Sequence, residues 1–147
     1  MAGEAFVHCP KCGSLMDVAY DLNLGTIKWR APLGTVRALA AKGIKNTGNA
    51  QRVHRNGPVV TAGGLIFVGT NADATVWAFD KDTGKVLWER QLDANPEGMA
   101  AVFEVGGRQY VAFCASYYPE AAPGNIAIHP GKAEAQGYYV FALPQKK

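Results

Sequence analysis

The sequence predicts an all-β chain of short antiparallel meanders, and three observations predict it. Residues 58–92 hold four apolar runs, VVTA, LIFVGT, TVWAF and a more openly alternating KVLWERQL, each rich in β-branched and aromatic residues and too short for a stable helix. Gly63-Gly64, Asn71-Ala72-Asp73 and Asp80-Lys81-Asp82-Thr83-Gly84 separate the runs, and each separator is turn chemistry. Finally, AYDLNLGTIKW from Ala19 to Trp29 repeats AFDKDTGKVLW from Ala78 to Trp88, at an offset of 59 positions for both the alanines and the tryptophans. A repeat that keeps Asp, Gly and Trp in register marks a repeat architecture.

Taken in order, residues 1–15 form an N-terminal segment containing HCPKCG. Met16–Asp21 and Ile27–Ala31 read as two strands around the first copy of the repeat, a half blade over residues 16–31. Residues 32–57 are a long connection, in which Leu33–Lys45 has room for a helical turn or two between Gly34 and Gly43. Residues 58–92 form a full four-stranded meander, close to the size of one propeller blade. Within it, Asp80 accepts backbone N–H bonds in the turn, and Gly84 takes the positive φ a tight hairpin needs. Met99–Val105, the Gly106-Gly107 turn and Arg108–Ala115 form a hairpin. Residues 116–136 are a Pro-, Ala- and Gly-rich surface loop, and Tyr138–Leu143 is a last strand, giving a three-stranded incomplete blade over residues 99–143.

These segments carry a resemblance. AxDxxTGKxxW is similar to the tryptophan-docking motif of quinoprotein dehydrogenases, eight-bladed β-propellers that use pyrroloquinoline quinone (PQQ). YDLNLGTIKWRAPLG, AAKGIKNTG, GPVVTAGGLIFVGT, AFDKDTGKVLWE, FEVGGRQYVAF and YVFALP resemble, in this order, the C-terminal part of the PQQ-dependent glucose and alcohol dehydrogenases. The resemblance spans roughly residues 18 to 144. It implies that residues 16–147 are a partial quinoprotein-type propeller of about two blades, taken from enzymes several times longer than this chain.

Composition bounds the rest. Apolar residues make up 48% of the 147 and charged ones 18%, which excludes a disordered chain. A net charge of +3 is too small to argue for nucleic acid. No stretch approaches the apolar length of a membrane span, and no apolar core of a signal peptide opens the sequence. The enzymes resembled are periplasmic or face the periplasm, so the expectation is a fragment of such an enzyme or a chain that stays in the cytoplasm.

The resemblance implies PQQ, a calcium-type metal and a catalytic aspartate at the propeller axis, contributed mostly by blades outside this chain. Within it, the family's NTGTENYGGPVVTAGG corresponds to Asn46–Gly64, lengthened here by three residues. Asn49 and Asn56 are the cofactor-binding candidates, with ordinary loop asparagines as the alternative; Gln51 and His54 fall at the family's later asparagine by the two ways of counting. Ahead of the last strand the family's acid is absent, since Tyr138 follows Gly137 directly.

Cys9-Pro10-Lys11-Cys12-Gly13 has the spacing of a zinc-ribbon knuckle, where two thiolates hold one edge of a metal. It is half a site: no second CxxC follows, so zinc shared between chains, a redox pair and no function stay open. Cys114, inside VAFCAS, reads as a core cysteine. Asp17, Asp73 and Glu97 sit near turns with no visible partner. Between Asp21 and Asp73 there is no acid, while Lys28, Arg30, Arg37, Lys42, Lys45, Arg52 and Arg55 are basic; this is either a solvated loop or a positive rim for an anion. The aromatic set Trp29, Trp77, Trp88, Phe67, Phe79, Tyr110, Phe113 and Phe141 has strand periodicity and reads as core between sheets.

Two functions follow as expectations. The first is the C-terminal propeller portion of a PQQ-dependent dehydrogenase oxidising an alcohol or sugar hydroxyl, inactive alone. The alternative is a non-catalytic propeller fragment that acts as a self-assembling scaffold or binding module. Its partners would be other copies of itself or the missing blades, because two and a bit blades leave apolar faces and strand edges open.

Overall fold

The computed structural model describes residues 7–8, 15–45, 47–48, 56–118 and 131–142. Their strands form three antiparallel sheets. The first contains β1 (Val7–His8), β2 (Leu15–Asp21) and β3 (Thr26–Pro32), in that order. A four-residue helix, α1 (Arg37–Ala40), lies in the long connection. The second sheet has the order β4 (Val59–Val60), β5 (Leu65–Thr70), β6 (Thr75–Asp80) and β7 (Val86–Gln91). The third is β8 (Asn95–Val105), β9 (Arg108–Ser116) and β10 (Gly137–Ala142), with a 3₁₀ turn at Ala133–Ala135 ahead of β10.

All-β meanders are therefore what forms, and the strand ends fall within a few residues of the sequence expectation. Two differences have local causes. β1 pairs with the start of β2 (Val7↔Met16, His8↔Leu15), a two-residue strand with no periodicity to reveal it. β8 starts at Asn95 rather than Met99 because its pairing with β9 runs through an irregularity between Glu97 and Ala101, where Gly98 takes φ +71°.

Strand alternation builds two cores on the two faces of the second sheet. Val68, Trp77 and Phe79 pack against Ala31 and Leu33 of the first sheet's side. Phe67, Val76 and Ala78 pack against Val111, Phe113 and Ala115 of β9. Successive residues of β6 thus serve opposite cores, the period-two rule of a strand covered on both sides. Phe79 and Phe113 are fully buried, each contributing about 3 kcal/mol by leaving water. Gly69 permits the approach of β8: a Cβ there would stand 2.8 Å from Pro96 Cβ.

The same alternation corrects the reading of Cys114. Phe113 and Ala115 face the second sheet, so Cys114 between them points to the opposite face of the third sheet and is exposed. Apolar neighbours in sequence do not make a core residue on a strand. Trp88 is also more open than a core residue, at 37% exposure.

Candidate functional site

One end of the sheets is built from the repeated turn. Asp80 Oδ1 accepts the N–H groups of Asp82 (3.0 Å) and Thr83 (2.8 Å) and the Thr83 hydroxyl (2.8 Å). Gly84, at φ +70°, donates its N–H to the Asp80 carbonyl (2.9 Å). The first copy repeats this, with Asp21 Oδ1 accepting from Asn23 and Leu24 and Gly25 N–H donating to the Asp21 carbonyl. The Thr83 hydroxyl and the turn amides hold the Asp80 carboxyl below its ordinary value.

The first sheet docks on this turn through Trp29. Its ring lies against Gly84, where an added Cβ would stand 2.5 Å from Trp29 Cε3. Its indole N–H donates to the Lys81 carbonyl at 2.9 Å. Beside the ring, Lys28 Nζ meets Asp82 Oδ1 at 2.6 Å and Lys81 Nζ meets Asp82 Oδ2 at 2.8 Å. Bonding to Lys28, then Lys81, draws the Asp82 carboxyl down to about 2, and Asp82 raises Lys28 in turn.

The opposite end, where the long connection and the 71–74 turn lie, holds a buried polar layer: Thr47, Asn56, Thr70, Asn71, Asp73, Thr75 and Asn95. Asn56 is its clamp. Its Nδ2 donates to the carbonyls of Gly69 and Pro96 (both 3.0 Å), and its Oδ1 accepts the Gly98 N–H (2.9 Å). It thereby ties the end of β5 to the irregular stretch of β8, and its amide is committed to main chain.

Asp73 organises the neighbouring cluster. Trp77 Nε1 donates to Thr70 Oγ1 (2.7 Å), and that hydroxyl lies 2.5 Å from Asp73 Oδ1 and 3.1 Å from the Thr75 carbonyl. Asp73 Oδ2 accepts the Thr35 N–H at 2.7 Å, which fastens the start of the long connection to the 71–74 turn. Burial pushes the Asp73 carboxyl up to about 6, against the lowering effect of the Thr70 and Thr35 hydrogen bonds. A cleft of about 390 Å³ opens beside it, lined by Thr35, Thr75, Trp77, Glu89, Arg90 and Gln91. The sequence named Asp73 as a turn residue without a partner; its acceptors are satisfied by residues 3 and 38 positions away, which no local pattern shows. Glu97 likewise gains a partner, the Ser116 hydroxyl at 3.0 Å.

Of the site residues expected from sequence, Asn56 is placed in this layer, while Asn49, Cys9 and Cys12 lie outside the described residues, as do Gln51, His54, Arg52 and Arg55. Of the basic residues, Lys28 is ion-paired at the docking turn and Lys42 and Lys45 are exposed. Among the described residues no group of three His, Cys, Asp or Glu side chains is placed to hold a metal ion. The described part of the layer therefore does not by itself fit a quinone with a divalent cation: its carboxylate and its amide clamp are both turned to main chain or hydroxyl partners.

The family profile described as "PQQ: Glucose/ethanol/alcohol dehydrogenase, beta-propeller domain" matches residues 6–111. The glycerol dehydrogenase large subunit of Gluconobacter thailandicus is 38% identical over 104 residues, covering 68% of this chain and 14% of its own length. Quinoprotein glucose dehydrogenase A of Acinetobacter calcoaceticus is 32% identical over 135 residues, 86% of this chain and 15% of its own. Among solved structures, a quinohemoprotein alcohol dehydrogenase of Pseudomonas putida HK5 superposes with a TM-score of 0.51 at 30% identity, over 71% of this chain and 13% of that one. The enzyme from Comamonas testosteroni superposes at 0.56 and 22% identity, over 90% of this chain and 18% of that one, and supports the fold alone. The chain thus spans a small fraction of the length of the relatives it matches. With the docking turn and its tryptophan in place and the profile covering most of its length, the chain belongs to the PQQ-dependent dehydrogenase β-propeller family.

Proposed function

We propose that this chain supplies a segment of propeller wall to a PQQ-dependent dehydrogenase that oxidises an alcohol or sugar hydroxyl, and that it is inactive alone. The observation that carries this reading is the Trp29 seam, a family docking contact that fixes two consecutive sheets at the end opposite the buried polar layer. When bound, PQQ supplies the two-electron acceptor for such an oxidation. This chain's own part is positional: Asn56 holds β5 against β8, and Asp73 holds the connection that carries Asn49, the remaining candidate for contact with the quinone. Calcium would come with the rest of the assembly. Zinc at Cys9 and Cys12 stands as a separate proposal, read as stoichiometric metal lost on Cys12→Ser. A periplasmic assembly is part of this reading, supported by the family resemblance alone; no described helix is long and apolar enough to cross a membrane.

A second reading, a non-catalytic scaffold that assembles with copies of itself or with missing blades, is favoured by one observation. The outer face of the third sheet exposes Phe103, Val105, Tyr138 and Val140, a surface of the kind that seeks a partner.

The test is dye reduction with glycerol, ethanol and glucose in the presence of PQQ and Ca²⁺. The isolated chain should give none. A chimera carrying it in place of the matched segment of the Gluconobacter thailandicus subunit should reduce dye with glycerol. Turnover by the isolated chain, or a folded chimera that is inactive beside an active parent, would overturn the proposal.

A further inference from the structure

The long connection between β3 and β4 is pinned at its base and exposed beyond it. Leu33 and Val36 are buried. Between them, Thr35 donates its N–H to Asp73, and Val36 donates its own to Thr47 Oγ1 at 2.7 Å. From Leu39 to Lys45, LAAKGIK, every residue is exposed.

This knuckle satisfies its own main chain. Leu39 and Ala40 donate their N–H groups to the Val36 carbonyl, Lys42 and Ile44 to that of Leu39, and Gly43 to that of Ala40. Gly43 takes φ +80°, and the bonds from Ile44 to Leu39 and from Gly43 to Ala40 close the end of α1 back on itself. The closure puts positions 39 and 44 at one corner of the turn. Both side chains there are apolar and open to solvent, Leu39 at 37% and Ile44 at 49%. Lys42 and Lys45 flank them. Among the described residues neither lysine has an acid within ion-pair distance, whereas Lys28, Lys81 and Lys132 each meet an aspartate. The sequence has no acid from Leu22 to Ala72.

We propose that this knuckle is a contact for an anionic phospholipid surface, with Leu39 and Ile44 entering the interface and Lys42 and Lys45 meeting the phosphates. Three features favour lipid over a folded acidic protein. The exposed charge of the segment is of one sign, the complement of an anionic headgroup layer. Its turn amides are already bonded, so they enter a region poor in water without losing hydrogen bonds. Its apolar groups form a projecting corner with no groove beside it, which a fluid interface accepts without a matching pocket. Lysine stems lie along apolar surface while their ammonium groups stay in the headgroup layer. The knuckle belongs to no sheet, and no quinone takes part in these contacts, so the inference stands apart from the proposed activity.

The test is co-sedimentation of the full chain at low salt with vesicles of equimolar phosphatidylglycerol and phosphatidylcholine, against phosphatidylcholine alone. Partitioning onto the anionic vesicles should be about twenty-five times stronger, fivefold for each lysine, and should fall at least about tenfold when salt screens it. Lys42→Ala and Lys45→Ala should each weaken it about fivefold with the urea midpoint unchanged. Leu39→Ser with Ile44→Ser should weaken it about tenfold. Lys132→Ala, an exposed lysine elsewhere, should leave it unaltered. The Ile44→Trp chain should gain blue-shifted emission on anionic vesicles that the wild type does not show. Equal partitioning onto both vesicles, or a loss with Lys132→Ala or Tyr138→Ser as large as with the knuckle variants, would overturn the proposal. So would binding to polyglutamate in place of vesicles, which would put an acidic polypeptide on the knuckle.

Discussion

Replacing Asp73 with Asn should stabilise this protein at neutral pH. The carboxyl is buried, and burial raises it from an ordinary 3.8 to about 6, so ionising it in place costs up to about 3 kcal/mol. A group whose folded value is raised contributes stability fully below its unfolded value and loses that contribution as pH rises through the folded one. Here the loss falls between about pH 4 and pH 6. The neutral form has a complete hydrogen-bond set. An amide oxygen still accepts the Thr35 N–H, and an amide N–H donates to Thr70 Oγ1, whose own hydrogen turns to the Thr75 carbonyl 3.1 Å away. Urea unfolding of Asp73→Asn should therefore match wild type near pH 4 and exceed it by about 1–3 kcal/mol at pH 7.5. Parallel pH profiles, or a variant weaker than wild type at pH 7.5, would refute the reasoning and show that the charged hydrogen bonds from Thr35 and Thr70 outweigh desolvation.

The other predictions concern the two ends of the sheets. Gly84→Ala places a methyl about 2.5 Å from the Trp29 ring at a positive φ; a loss of about 2–4 kcal/mol and a red shift of Trp29 emission are expected, and an unchanged urea midpoint would show that the seam is soft. Asn56→Ala leaves the Gly69 and Pro96 carbonyls and the Gly98 N–H without their side-chain partner. It should cost about 2–4 kcal/mol and speed amide exchange at Gly98 more than at Val111.

The strands and the repeated turn are legible in the sequence, because both are local. Alternation along LIFVGT and TVWAF sets strand and face, and Asp80 and Gly84 set a turn within five residues. Strand periodicity also put Trp29 between sheets, though its seat against Gly84 and the Lys81 carbonyl was not legible. Which groups meet across distance is set by the packing of the sheets. Asp73 reads locally as a turn residue; its carboxyl is raised because the fold buries it, where it accepts the Thr35 N–H from the long connection. Asn56 reads as a cofactor-binding candidate or a loop asparagine, and its role as a clamp exists only when Gly69 and Pro96 come together. Cys114 reads as core by composition and is exposed, because the stacking of sheets, not the neighbours in sequence, decides which face of a strand is covered. The same stacking leaves β10 with an uncharged edge beside Trp88, since burial belongs to the assembly of strands rather than to any one of them.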